Sequence, residues 1–167
     1  ENTFNGLNVN DADVTFYEND MITIKSNAFT NSIIDELNFE YNYDLTTIEN
    51  YAFSGSTIND LEINENESLS TIGNNAFKGI NGLEYLEISY SDMLFDKSNV
   101  DFSDLTSLID LEISSNGDND RCYIGDIIKD FPNLTYLDLS NIIATGSTFN
   151  GLNNLKIWKS ERIFKIC

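Results

Sequence analysis

A short alternating motif recurs along the chain at a nearly constant interval, and this repetition restricts the possible folds more than any other feature. Each copy reads apolar–any–apolar, with another aliphatic residue three positions upstream. The five strong copies begin at Leu37, Leu61, Leu86, Leu111 and Leu137. Such alternation forms a short strand with one apolar face, which a single strand cannot bury. The motif therefore predicts that successive copies stack as a parallel sheet over a continuous core.

Weaker copies of the motif extend the pattern towards both ends of the chain. One is Val14-Thr15-Phe16, and the other is the shortened copy Leu152–Ile157, whose Leu155 follows Leu137 sooner than the regular interval would place it. With these copies the sequence predicts a single domain over residues 1–167, made of about seven coils.

The two ends of the domain differ from the repeats in composition. Residues 1–13 are polar and poorly periodic, so they are predicted to form a frayed N-terminal edge. Residues 156–167 hold four basic residues against one acid, Glu161, together with apolar residues that can cover the last coil. We interpret them as a C-terminal cap, which a stacked repeat protein needs at its open end.

The segments between the strand motifs carry a second pattern, I-x-x-x-A-F. It occurs at Ile24–Phe29, Ile48–Phe53 and Ile72–Phe77. Here the small Ala permits close approach of adjacent coils, and the Phe fills the wider side. In the second half of the chain this signature fades, and three phenylalanines remain near the aromatic position: Phe102, Phe131 and Phe149.

The interval between strong copies is about 25 residues, which lies in the range of leucine-rich repeats. Together with the I-x-x-x-A-F pattern, the unit resembles the BspA-like class of these repeats, most clearly over residues 14–90. The predicted fold is an α/β leucine-rich-repeat solenoid shaped like a horseshoe. Its concave side is expected to be the parallel sheet, and its convex side short turns, strands or helical turns.

The residues between the inward-facing apolar positions are predicted to line the exposed face of the sheet, where solenoids usually bind partners. The middle position of four successive copies is acidic, and we call this set the acidic column: Glu62, Glu87, Glu112 and Asp138. Like charges on strands about 4.8 Å apart repel, which a cationic ligand would relieve. The alternative is a solvated polar face that binds nothing. The predicted partner-binding residues are Asp60, Glu62, Tyr85, Glu87, Asp110, Glu112, Tyr136, Asp138 and Trp158.

The overall charge limits the classes of partner. The chain has 28 Asp and Glu against 9 Lys and Arg, and its net charge is −19. Nucleic acid and anionic lipid would be repelled, whereas a basic protein surface or metal cations would be attracted. No apolar run approaches the roughly 20 residues of a membrane span, so direct membrane insertion is not expected. Solubility alone is the other explanation of the charge.

Several residue types and motifs of common catalytic and cofactor sites are missing, although carboxylates are abundant. The chain contains no His, which removes Ser-His and Cys-His nucleophile arrangements, and it has no Gly-rich phosphate loop. Cys122 and Cys167 form either one disulfide or two separate thiols. Residues 116–120 alternate oxygen ligands as a calcium loop does, but Arg121 replaces the required Gly. The sequence therefore predicts neither an enzyme nor a bound cofactor or metal.

These observations favour a non-enzymatic module that binds a protein with a basic surface. The resemblance to BspA-like repeats implies a secreted or cell-surface protein with a role in adhesion. Two alternatives stay open. In the first, the repeats are a structural spacer that self-associates weakly, with the basic tail of one molecule against the acidic face of the next. The second is an intracellular scaffold, which free thiols would favour.

Overall fold

A computed structural model of the chain describes residues 3–91, 100–115, 123–124, 131–140, 142–144 and 151–159. Within these ranges the regular structure consists of short β-strands joined by turns. In the first half of the chain the strands are β1 (Asn8–Val9), β2 (Val14–Tyr17), β3 (Thr23–Ile24), β4 (Ile33–Glu40), β5 (Thr47–Ile48), β6 (Thr57–Asn64) and β7 (Thr71–Ile72). The remaining strands are β8 (Tyr85–Ser91), β9 (Asp110–Ser115), β10 (Tyr123–Ile124), β11 (Tyr136–Ser140), β12 (Ile143–Ala144) and β13 (Ile157–Lys159).

The strand motifs pair as one parallel sheet, which we call the main sheet. Its order is β1-β4-β6-β8-β9-β11-β13, and β2 also pairs with β4. Each strand therefore lies beside the strand of the next coil, and the predicted parallel stack is confirmed. The protein is a parallel-strand solenoid.

The alternating apolar residues of the main sheet form the core. Leu61 and Ile63 of β6 are fully buried, as are Leu86 and Ile88 of β8. The residues between them are half-buried on the opposite side, which we call the outer face of the main sheet. The alternation in the sequence thus separates a buried face of the sheet from a solvent-facing one, as its period of two requires.

The return segments close each coil with a column of phenylalanine rings. Successive rings lie at centroid distances of 5.1, 5.6, 5.7, 5.6 and 6.2 Å, in the order Phe4, Phe29, Phe53, Phe77, Phe102 and Phe131. Next to the column, the short strands β3, β5 and β7 form a second parallel sheet. The column shows that the aromatic position persists after the Ala-Phe signature has faded, whereas Phe149 lies outside the described residues.

Small alanines beside these rings allow the coils to approach, as predicted. Ala52 and Ala76 are fully buried, and the backbone amide of Phe53 donates to the carbonyl of Ala76 at 2.9 Å. The amide of Phe29 donates to Ala52 in the same way, at 2.8 Å. A larger side chain in place of either alanine would separate backbones that are hydrogen-bonded directly.

The α/β description of the fold is not confirmed. The described ranges contain strands and turns but no helix, so the return segments consist there of two-residue strands and tight turns. In place of helical turns, residues such as Asn27, Asn31 and Tyr51 adopt positive φ angles of 60, 55 and 63°. Such left-handed positions reverse the chain within a few residues, and Asn tolerates them better than most side chains.

The N-terminal segment differs from the frayed edge that its composition predicts. β1 pairs with β4, and the amide of Phe4 donates to the carbonyl of Ala28 at 3.0 Å. The Phe4 ring stacks on Phe29 and continues the phenylalanine column. Residues 3–13 therefore carry the return segment of one more coil. Their sequence Thr3-Phe4-Asn5-Gly6 lacks the Ile and Ala of the I-x-x-x-A-F pattern, so the sequence alone did not identify it as a return segment.

In the last coil, the strand pairing differs from the one predicted from the sequence. In the structure Leu137 pairs with Trp158, and Asp138 with Lys159, so the partner of Leu137 is Trp158 rather than Leu155. The reason is that Leu152-x-x-Leu155 repeats the turn rather than the strand. The amide of Leu155 donates to Leu152 at 3.4 Å, as that of Leu134 donates to Phe131 in the previous coil.

Candidate functional site

The acidic column forms one continuous line across the outer face of the main sheet. Glu62 lies opposite Glu87, Glu87 opposite Glu112, and Glu112 opposite Asp138. The predicted alignment of these four residues is confirmed. In this line each carboxylate has at least one acidic neighbour on an adjacent strand, about 4.8 Å away along the sheet. Lys159 follows Asp138 at the end of the line.

A second column runs beside the acidic one and alternates acids with tyrosines. Asp60 pairs with Tyr85, Tyr85 with Asp110, and Asp110 with Tyr136. Eight of the nine residues predicted to bind a partner thus lie in two adjacent columns. The exception is Trp158. It pairs with the core residue Leu137 instead of following the column of Ser140, because the strand of the last coil begins later in the sequence than predicted.

Partial burial and the crowding of acids raise the pKa of Glu62. Partial burial, together with the charges of Glu87, Glu36 and Glu40, raises the pKa of Glu62 to about 7. The pKa of Asp60 is also raised, first by burial and then by Glu36. The centre of the face therefore holds carboxylates that bind protons more readily than exposed ones do.

Side chains two residues apart on the same strand hydrogen-bond across this face. The hydroxyl of Tyr85 donates to Glu87 at 2.7 Å, and that of Ser140 donates to Asp138 at 2.9 Å. Tyr85 is half-buried, and burial together with this hydrogen bond raises the pKa of its phenol. Tyr85 therefore orients a carboxylate and is less exposed than the sequence suggested.

Basic residues are scarce near the N-terminal part of these columns, whereas at the other end Lys159 pairs with Asp138. Residues 3–91 contain two lysines, Lys25 and Lys78, and no arginine. Lys25 lies beside β3 and forms an ion pair with Glu49 at 3.0 Å, whereas Lys78 is exposed on the turn after Phe77. Both lysines belong to the return segments. Over this half of the chain the outer face holds no lysine or arginine of its own to neutralise its acids.

A ladder of asparagines supports the ends of successive strands, and it was not predicted from the sequence. The amide of Asn19 donates to the Asn42 side chain at 3.0 Å, and the amide of Asn42 donates to Asn66 at 3.0 Å. Asn42 and Asn66 are fully buried. The sequence feature that could have indicated the ladder is an Asn five residues after the first apolar residue of three successive strand motifs. Asn66 is also the first residue of the sequon Asn66-Glu67-Ser68, and its burial leaves no room for a glycan in the folded protein.

Three tyrosines at the same edge were also missed as a group, and we call them the tyrosine cluster: Tyr17, Tyr41 and Tyr43. Tyr17 ends β2, and Tyr41 directly follows β4. Their ring centroids are 5.4 Å apart, and those of Tyr41 and Tyr43 are 6.2 Å apart. Tyr17 and Tyr41 are separated in the sequence by one repeat interval, which could have indicated the contact.

Other sequence-based predictions lie partly outside the described residues. Cys122 and Cys167 belong to segments whose structure is not described, and so do residues 116–120 and most of the expected cap. In the described part of the chain, no group of three or more Asp, Glu, Cys or His is arranged to hold a metal. The same residues form no helix of the length and hydrophobicity that crossing a bilayer requires.

Residues 1–119 match the family model described as BspA type leucine-rich repeat region, with six copies of the repeat. The chain belongs to the BspA-type leucine-rich repeat family. No curated protein and no solved structure matches it. The family match extends beyond residues 14–90 on both sides, and it includes the N-terminal segment that packs as part of a coil.

Membership in the BspA-type family bears on the kind of function to expect. Repeats of this type are protein-interaction modules, their fold is typically a non-enzymatic scaffold, and the family is commonly extracellular or surface-associated. A stacked fold of this kind presents an extended face rather than an enclosed pocket. The outer face of the main sheet in this BspA-type chain has the extent and the regularity that such a role uses.

Proposed function

We propose that the chain is a non-enzymatic binding module of a secreted or cell-surface protein, and that its outer face binds a basic protein surface. The observation that carries the proposal is the acidic column. Its carboxylates line up across four strands, and residues 3–91 supply no basic side chain to that face. Repulsion within the column would be relieved when lysine or arginine side chains of a partner approach it.

The shape of the face supports a protein ligand over a small molecule or a cofactor. Two parallel columns, acidic and acidic-aromatic, extend over the strands from β6 to β11. An extended charged surface suits a large partner, because the basic groups of such a partner contact several carboxylates at once. The electrostatic field of the carboxylates also accelerates the association of a basic partner. Adhesion to another protein outside the cell is the corresponding biological role.

The proposal is tested by retention of partners on the immobilised domain at low and at moderate salt. We expect basic proteins to be retained at low salt and released at moderate salt. At pH 8, where Glu62 is ionised, the double variant Glu62→Gln/Glu87→Gln should reduce retention about threefold to tenfold, because each exposed charge contact is worth about 0.2–1 kcal/mol. The matched control Asp11→Asn/Asp20→Asn removes the same charge from exposed positions away from the acidic column. Equal effects of the two variants would contradict a site on the outer face.

Self-association through the basic end is the competing proposal. Lys156 is exposed just before β13, and the main sheet's order ends at β13 within the described residues. A second copy could therefore place this end near the acidic column of its neighbour. Sedimentation in low and high salt separates the two ideas. A salt-sensitive oligomer would favour self-association, and a monomer under both conditions would exclude it.

A further inference from the structure

The tyrosine cluster combines rigid rings with high exposure. Tyr17 is 53% exposed and Tyr43 is 51% exposed, although they belong to two adjacent, tightly stacked coils. Between Tyr41 and Tyr43 lies Asn42, which is fully buried and donates through its side-chain amide to Phe16 at 3.0 Å and to Glu40 at 3.1 Å. The buried Asn42 anchors the backbone on both sides, so the rings are held outside the core in a defined arrangement.

The backbone at the cluster adopts an unfavourable conformation in successive coils. Glu18, Tyr41 and Glu65 directly follow equivalent strands, and their φ angles are 45, 55 and 54°. A bulky residue in this left-handed region is uncommon and costs about 1–2 kcal/mol. The hydrogen bonds of the asparagine ladder hold the turn in place, so the ring of Tyr41 has little freedom to withdraw from Tyr17.

Three carboxylates border the rings, and we call them the acidic rim: Glu18, Glu65 and Glu67. Glu18 is the largest cause of the raised pKa of Tyr17. Burial is the first cause of the raised pKa of Tyr43, followed by the charges of Glu18 and Glu67, and a smaller effect of Glu65. The strand register places these carboxylates beside the rings. Glu18 and Glu65 occupy the position of Tyr41 in the two adjacent coils. Glu67 occupies the position of Tyr43 in the coil that contains β6. The two lysines of residues 3–91 lie on the return segments, so the rim has no basic side chain from this half of the chain beside it.

A planar cation matches this combination better than any other protein group. The guanidinium of arginine stacks on aromatic faces and donates in a fork to carboxylates. Lysine is more strongly hydrated and lacks the flat surface. A hydrophobic side chain would gain from the rings but would have to displace water from the rim carboxylates, which is unfavourable.

We propose that the tyrosine cluster and the acidic rim form a subsite that binds an arginine side chain of the partner protein. The subsite rests on the proposed binding role and adds to it an anchor at the strand ends, separate from the acidic column. Rigid exposed aromatics lose little conformational entropy on binding, and Tyr and Arg are enriched at interface hot spots.

The test is a titration of the purified domain, labelled at its tyrosine rings, with a tetra-arginine peptide and with a tetra-lysine peptide, followed by NMR. We expect ring signals of the cluster to shift with the arginine peptide, and the lysine peptide to bind several-fold more weakly. Tyr17→Leu/Tyr43→Leu should weaken the arginine peptide about threefold to tenfold. Tyr51→Leu is the matched control, since Tyr51 is 41% exposed on a return segment and should leave the affinity unchanged.

The outcomes separate this subsite from the acidic column. Loss of affinity in Glu62→Gln/Glu87→Gln alone, with no effect of the tyrosine variant, would overturn the subsite and leave the proposed function standing. Equal affinity for the two peptides would also overturn it. Absence of any binding to wild type would contradict both proposals. Tyr43→Phe retains the ring, so its near-normal affinity would show that the loss in the leucine variant comes from the aromatic face.

Discussion

Phe53 illustrates how one residue of the repeat holds two neighbouring coils. Its ring stacks between Phe29 and Phe77, at centroid distances of 5.6 and 5.7 Å, and it packs edge-on against Phe39 of the main sheet. The residue is fully buried. Because each coil contributes one such ring, removing it opens a cavity that no residue in the same coil can fill.

We therefore expect Phe53→Ala to lower the free energy of unfolding by about 3–5 kcal/mol. Phe53→Leu should lose less, because it leaves a smaller cavity. Urea unfolding followed by circular dichroism measures both values. As a control, Tyr51→Leu changes an exposed ring two residues away and should shift the stability by about 0.5 kcal/mol or less. A loss below about 1 kcal/mol for Phe53→Ala would mean that the phenylalanine column does not carry the packing energy described above.

At the scale of the element, the asparagine ladder determines how one strand ends and the next turn begins. Asn42 accepts from the amide of Asn19, donates to the carbonyls of Phe16 and Glu40, and has its own amide bound by Asn66. One side chain thus bonds backbone groups of two coils at the point where their strands end. Because the Asn42 side chain is fully buried, its polar atoms must find these partners within the protein.

Asn42→Ala should destabilise the protein by about 2–3 kcal/mol, since several buried polar groups lose their partners. The amide of Asn19 should then exchange its hydrogen faster, and native-state hydrogen exchange can measure this. Asn5→Ala removes an exposed side chain from a return segment and provides the control. If Asn19 exchanges at the wild-type rate in Asn42→Ala, the ladder does not protect the turn.

At the scale of the whole molecule, carboxylates with opposite pKa shifts make stability depend on pH, and Glu62 and Glu49 have the largest such shifts. The pKa of Glu62 is raised from 4.5 to about 7, so its folded form binds a proton that the unfolded form has released. Glu49 has the reverse behaviour. Hydrogen bonds from Ser26 and Lys25 lower its pKa to about 2, so stability is lost as pH falls below the unfolded value.

We expect the protein to be most stable near pH 4.5–5, where Glu62 is still protonated and Glu49 is already ionised. Stability should fall as pH rises from there to about 7, and self-repulsion among the acids should add to the fall. Glu62→Gln should flatten this part of the profile and stabilise the protein at pH 7.5 by about 1 kcal/mol, a value reduced for solvent screening. Thermal unfolding between pH 4 and 8 tests this, and a profile of Glu62→Gln parallel to wild type would contradict it.

Much of the main sheet could be predicted from the sequence because its determinants are local. Leu61, Leu86 and Leu111 recur at steps of one coil, and the alternation around them separates core from outer face. In a parallel stack of equal coils, the same position of every copy meets its counterpart. The acidic column followed directly from this rule, and so did the column of Asp60, Tyr85, Asp110 and Tyr136.

The turns between strands were decided by the tertiary structure. Leu152 and Leu155 fit both a turn and a strand motif, and the hydrogen bonds to the preceding coil select the turn, so that Trp158 rather than Leu155 pairs with Leu137. The environment of Glu62 and the proximity of Tyr17 to Tyr41 depend likewise on residues about one coil away. A short alternating pattern specifies which face a residue takes, whereas burial, charge and ring contacts arise only when neighbouring coils stack. The sequence by itself therefore determined the repeat and its faces, and the stacking of coils decided the chemistry on them.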